Sequence, residues 1–191
     1  MDAIKLKSKT VDVQKLCVGA LLIAVGVLLP QIFHLIGGPA AGGLFLPMHI
    51  PVLLAGLLLG PYFGAVVGVL SPVISFLTMG MPPAARLPFM LLELCAYGLL
   101  SGLFYKKRVP LYLSLILAQI GGRAVYALSL LAASSLLELN APPVLTAWTA
   151  VVTGIPGIAV QLIFIPPIVV LLKKVIHFDR DTQKLPRASQ K

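Results

Sequence analysis

Four charged side chains stand outside the basic ends of this chain and its basic turn Lys106 to Arg108: Arg86, Glu93, Arg123 and Glu138. Glu93 and Arg123 fall well inside long apolar runs. A charge at the centre of a bilayer costs at least about 2.5–3.5 kcal/mol on insertion scales, so each needs a charged partner or a polar cavity. Two readings follow. In one, Glu93 and Arg123 pair and fix two helices. In the other, one or both line a ligand cavity, and Arg123 offers its fork of donors to a carboxylate or amide. A proton relay is a third. His49 lies at the mouth of an apolar segment, as a ligand contact, a satisfied core histidine or an interfacial residue. His34 is placed similarly, late in the first run. Trp148 and Asn140 stand near the start of the last run, where Trp148 suits an interface anchor or a stacking platform. Gln119 and Gln161 lie within runs and suit hydrogen bonds between helices.

No catalytic set accompanies them. There is no phosphate-cradling GxxxxGK[ST], no HExxH, and no Ser-His-Asp group, since no aspartate lies in a run or on the outer side. Cys17 and Cys95 lie in apolar segments without metal-ligand spacing and read as small buried hydrophobes. The chain is expected to be neither an enzyme nor a metal protein, and to hold no cofactor of its own.

The elements that must position these residues are membrane helices. The 191 residues are 59% hydrophobic and 11% charged, where a soluble domain carries about 25% charged residues. Mean hydropathy is +1.01. The fold expected is all-α, an integral membrane protein with six transmembrane helices over residues 14–174, between a polar segment 1–13 and a basic tail 175–191. The helices fall at about 14–36, 46–59, 61–78, 84–104, 110–136 and 144–173. The first is too long to be a cleaved signal peptide and is read as a span.

The second is the stretch around which the chain is organised: LFLPMHIPVLLAGLLLGPYFG, residues 44–64. Pro47 and Pro51 suit its first turns, and Gly60-Pro61 closes it and opens the third helix. At 14 residues it is short for a span of about 20, so it leans on the loop before it or sits within protein. That loop, GGPAAGG at 37–43, is expected to be a mobile lid. Gly154, Pro156, Gly157 and Pro166-Pro167 interrupt the sixth helix.

The formal net charge of +9 is a topology signal. Thirteen of the fifteen Lys and Arg residues fall in three clusters: Lys5 to Lys15, Lys106 to Arg108, and Lys173 to Lys191. The positive-inside rule then places both termini in the cytoplasm and the loops 37–43, 79–83 and 137–143 outside. Nucleic acid is not implied.

Several motifs in order carry a family resemblance: FLPMHIPVLLAGLLLGP, GMPP, ELCAYGLLSGLFY, Gly121-Gly122-Arg123 and TGIPGIAVQLIFIPPIV. Together they resemble the substrate-binding (S) components of energy-coupling-factor (ECF) transporters, over roughly Leu16 to Lys174. The resemblance implies a subunit of an ABC-type importer in the bacterial cell membrane. It captures a water-soluble vitamin from outside and docks on a transmembrane coupling protein and two ATPases, which use the ATP. Family members dock through an Ala-x-x-x-Ala pattern on helix one, which Ala20 and Ala24 match. The family pocket lies near the outer face, which marks Glu93, Arg123, Asn140 and Trp148, with Arg86 and His49 close by and loop 37–43 as part of the lid. A buried arginine suits a carboxylate such as pantothenate or niacin. A glutamate suits pyridoxine. If the two neutralise each other, neither inference stands. Pantothenate is the leading expectation. The alternative is a stand-alone secondary transporter or channel, against which the lack of a visible inverted repeat counts.

Overall fold

A computed structural model describes residues 13–135 and 145–175. Asn140, Glu138, the N-terminal segment to residue 12 and the tail from residue 176 lie outside the described residues. Everything described is helical or turn. The helices are α1 (Val13–Phe45), α2 (His49–Leu59), α3 (Pro61–Met79), α4 (Leu87–Lys106), α5 (Leu111–Ser135), α6 (Leu145–Thr153) and α7 (Ile155–Val175). Six stretches are long and apolar enough to cross a membrane: Val13–Gly38, Ala40–Leu59, Pro61–Met79, Leu87–Lys106, Leu111–Ser135 and Ile155–Lys174.

The second stretch is the axis of the fold. It is 67% buried, against 28–44% for the other five. Every residue of α2 from Pro51 to Leu59 is buried. The apolar run at 46–59 has no polar face because protein surrounds it on all sides. The other helices turn side chains such as Leu21, Leu28, Tyr62, Leu77, Ile120 and Ile163 outward, as lipid-facing helices must.

Glycine sets how closely the central helices approach. α3 and α4 meet backbone to backbone: a Cβ added to Gly98 would lie 2.1 Å from the Gly64 carbonyl oxygen, and one added to Gly68 would lie 2.4 Å from that of Leu94. Helices in lipid gain their attraction from such close packing, since lipid tails are as apolar as leucine.

The expected lid at 37–43 is a different object. It is helix. α1 runs on past residue 36 to Phe45, and the only departure from helical angles is at Gly38 (φ 65°, ψ −170°). A residue without Cβ takes that angle at no steric cost. The chain therefore turns at one glycine and re-enters a helix, so that the second span begins at Ala40 rather than at 46. Glycine-rich composition alone suggested a loop, yet the stretch is helical on either side of Gly38, although Ala41 is its one buried side chain among the described residues.

The second span is itself broken. Pro47 has no N–H to offer the carbonyl one turn back. The chain leaves the helix at Leu46, which sits at φ 49°, and resumes at His49. The expected interruption of the last helix is also present: Gly154 separates α6 from α7. α7 then continues through Pro166 and Pro167.

Candidate functional site

The breaks and the buried charges come together. Glu93 on α4 and Arg123 on α5 form an ion pair, with Oε1 2.8 Å from Nη1. Their side chains are 5% and 12% exposed, so the pair is shielded from solvent. His49 at the start of α2 places Nε2 3.8 Å from the same Glu93 oxygen. Tyr97, one turn along α4, sets its ring edge-on to the His49 ring, with centroids 4.9 Å apart at 78°.

Small residues make this assembly possible. A Cβ on Gly122 would lie 2.7 Å from the Tyr97 ring. One on Gly154 would lie 2.9 Å from Leu46 Cδ1 and 3.2 Å from Arg123 Nη2. The break between α6 and α7 thus leaves room for the arginine and for the broken second span.

A polar chain holds that second break in place. Gln119 of α5 donates through Nε2 to Gln161 Oε1 of α7 at 2.9 Å. Gln161 in turn donates to the Leu46 carbonyl at 3.4 Å. The same carbonyl accepts the His49 N–H at 3.1 Å. A broken helix within a membrane needs its freed backbone groups satisfied by protein, and Gln161 does this. The sequence expectation for Gln119 and Gln161, a packing hydrogen bond, describes what they form.

Several buried polar atoms around the pair have no partner among the described residues: Arg123 Nε and Nη2, His49 Nδ1 and Nε2, and Gln31 Nε2. The Arg123–Glu93 contact is electrostatic rather than a well-directed hydrogen bond, since Glu93 Oε1 also lacks an aligned donor. Unpaired buried polar atoms are rare in folded proteins and call for a ligand or water.

These residues face a cavity of about 410 Å³, within the range of about 300–1,000 Å³ typical of small-molecule sites. Glu93, Arg123, His49, Arg86 and His34 all line it, as do Gly42 and Gly43. Of the residues singled out in the sequence, Trp148 is not among the lining residues. It is 66% exposed. The helical face of α6 explains why: Thr146, Thr149, Ala150 and Thr153 turn inward to line the cavity, and Trp148 falls on the other side.

Sequence reading missed those threonines, together with Gln31, Ser75, Met90 and Tyr126, all of which line the cavity. A signal was present. Thr146, Thr149 and Thr153 recur at i, i+3 and i+7, one face of a helix. Tyr126 is one turn from Arg123. Among the described residues no group of three or more His, Cys, Asp or Glu side chains is placed to hold a metal.

A cavity with a buried ion pair at its floor, inside six membrane-spanning helices, defines a membrane protein that binds a small polar solute. The family model described as "ECF transporter, substrate-specific component" matches residues 14–169, and the chain belongs to that family. It is therefore a multi-pass membrane protein and a transporter subunit, not an enzyme. It is a substrate-binding subunit that associates with an ECF module of coupling protein and ATPases. Neither a curated protein nor a solved structure matches the chain significantly.

Proposed function

We propose that the chain captures a water-soluble vitamin for uptake across a bacterial plasma membrane, with pantothenate as the leading substrate ahead of niacin and pyridoxine. The observation that carries this reading is the buried floor of the cavity, where Arg123, Glu93 and His49 meet and the arginine keeps two nitrogens without partners. The ionised lining groups are Arg86, Arg123 and Glu93. The formal charges of these three groups sum to one net positive charge, which suits a single carboxylate over a cation. That ranks pantothenate and niacin above pyridoxine.

Both termini lie in the cytoplasm in this reading, by the distribution of Lys and Arg, and the cavity opens outward near the loop at 80–83. The chain needs no cofactor. One transmembrane coupling protein and two ATPases supply the energy, and Ala20 and Ala24 contact the coupling protein. Both alanines are exposed on α1, on a face shared with Leu21 and Leu28.

The test is a thermal-shift titration of the purified chain with a panel of B vitamins, repeated with Arg123→Gln. Pantothenate is expected to raise the Tm of the parent and not of the variant. A shift with a cationic or uncharged vitamin and none with pantothenate rejects the substrate assignment.

A further inference from the structure

The charges in the cavity are not evenly placed. At the floor, Glu93 and Arg123 neutralise each other. Arg86 stands at the other end. It stands at the position preceding the first residue of α4, lines the cavity and is exposed. No acidic group among the described residues pairs with it. Arg86 and Glu93 are seven positions apart on one helix, or about 10 Å at a rise of 1.5 Å per residue.

We infer that the substrate binds in one orientation, with its carboxylate at Arg86 in the mouth and a neutral, hydrogen-bonding head on the Glu93–Arg123–His49 floor. The inference rests on the reading of the cavity as the substrate site. It assigns Arg86, not Arg123, as the residue that selects the anion.

The reason is electrostatic. A carboxylate at the floor would share one guanidinium with Glu93. Two like charges held side by side in a shielded site repel, and the floor would carry a net buried negative charge. A neutral head meets no such cost. Its oxygens accept from Arg123 Nε and Nη2, both buried and unpartnered. Its hydroxyl meets the ring nitrogens of His49, which are also buried and unpartnered.

The wall between the two ends fits the same orientation. Thr149 Oγ1 donates to the Thr146 carbonyl at 3.0 Å, and Thr153 Oγ1 to the Thr149 carbonyl at 2.7 Å. Their protons are committed to the helix, so these hydroxyls present lone pairs. They suit substrate N–H or O–H groups. The solute defined by this geometry is an elongated monoanion with a hydroxyl- or amide-bearing head. Pantothenate is such a solute, whereas a pyridine carboxylate is compact and carries no hydroxyl- or amide-bearing head.

The test compares pantothenate with panthenol, its neutral alcohol analogue, by calorimetric titration of the full chain in nanodiscs. Parent protein is expected to bind pantothenate about tenfold more tightly than panthenol, a gap of about 1.4 kcal/mol. Arg86→Gln should remove that preference by weakening pantothenate about tenfold while panthenol stays within about twofold. Retained panthenol binding also shows that the variant is folded. Equal loss of both ligands, no loss of either, or no preference in the parent overturns the orientation and leaves the substrate assignment standing. Failure of the parent to bind either compound overturns the substrate assignment and the orientation with it.

Discussion

Glu93 and Arg123 touch at 2.8 Å across the α4–α5 seam, yet two of the arginine's three nitrogens remain without partners. The pair therefore combines features of two of the three readings that the sequence left open. It joins two helices, and it presents donors to a cavity. Each role has its own signature.

Removing one member of a buried pair leaves an uncompensated charge, at about 3–5 kcal/mol. Arg123→Gln should therefore lower the Tm sharply. The double variant Glu93→Gln with Arg123→Gln should recover most of that loss, since no charge is left buried, but should not recover ligand binding. Differential scanning fluorimetry in detergent, beside a binding titration, reads both. A double variant that binds as the parent does would reduce the pair to a helix fastener.

The close seam of α3 and α4 gives a second contrast. Gly98→Val should yield no folded protein, because its Cβ would meet the Gly64 carbonyl at 2.1 Å. Gly43→Ala meets nothing within 4 Å, and in a helix interior it should be neutral or stabilising by up to about 1 kcal/mol. Folded yield by size-exclusion chromatography distinguishes the two. Normal yield from Gly98→Val would mean that the helices are not in backbone contact.

Much of this was legible in the sequence, and what was not has physical reasons. The apolar runs and Gly60-Pro61 marked the spans and the α2–α3 turn. Charge depth marked Glu93 and Arg123, and with Arg86, His49 and His34 these line the cavity. The stretch 37–43 misled because seven small residues carry no periodic signal, and their glycine content reads as loop although all but Gly38 hold helical angles. Trp148 misled because side-chain type says nothing of helix phase: the neighbouring threonines take the inner face, and the indole faces out. Asn140 lies outside the described residues. Pro47 marked the break at Leu46, but its support was invisible because Gln161 is distant in the chain and comes close only in the fold.

That support yields a third prediction. Gln161→Leu deprives both Gln119 and the Leu46 carbonyl of a partner. Hydrogen bonds between membrane helices average about 0.6 kcal/mol and reach about 1.7, so the Tm should fall modestly. Ligand affinity should fall more, because residues 46–49 lose their anchor. Adding Gln119→Leu should cost little further stability, since its partner is already gone. Strict additivity of the two substitutions would show that they do not act through one chain of bonds.

The exposed alanines of α1 supply a fourth. Ala20→Trp should leave vitamin binding by the isolated subunit unchanged and lower uptake by cells that carry the coupling module. Pull-down of the coupling protein should weaken in parallel. Unchanged uptake would place the docking face elsewhere.

The most direct measurement is native mass spectrometry of the gently purified chain, followed by a thermal-shift titration with each B vitamin. The account predicts one bound vitamin per chain, a large upward shift with pantothenate, and loss of that shift in Arg123→Gln. A chain that carries no small molecule and shifts with none of the panel would contradict it.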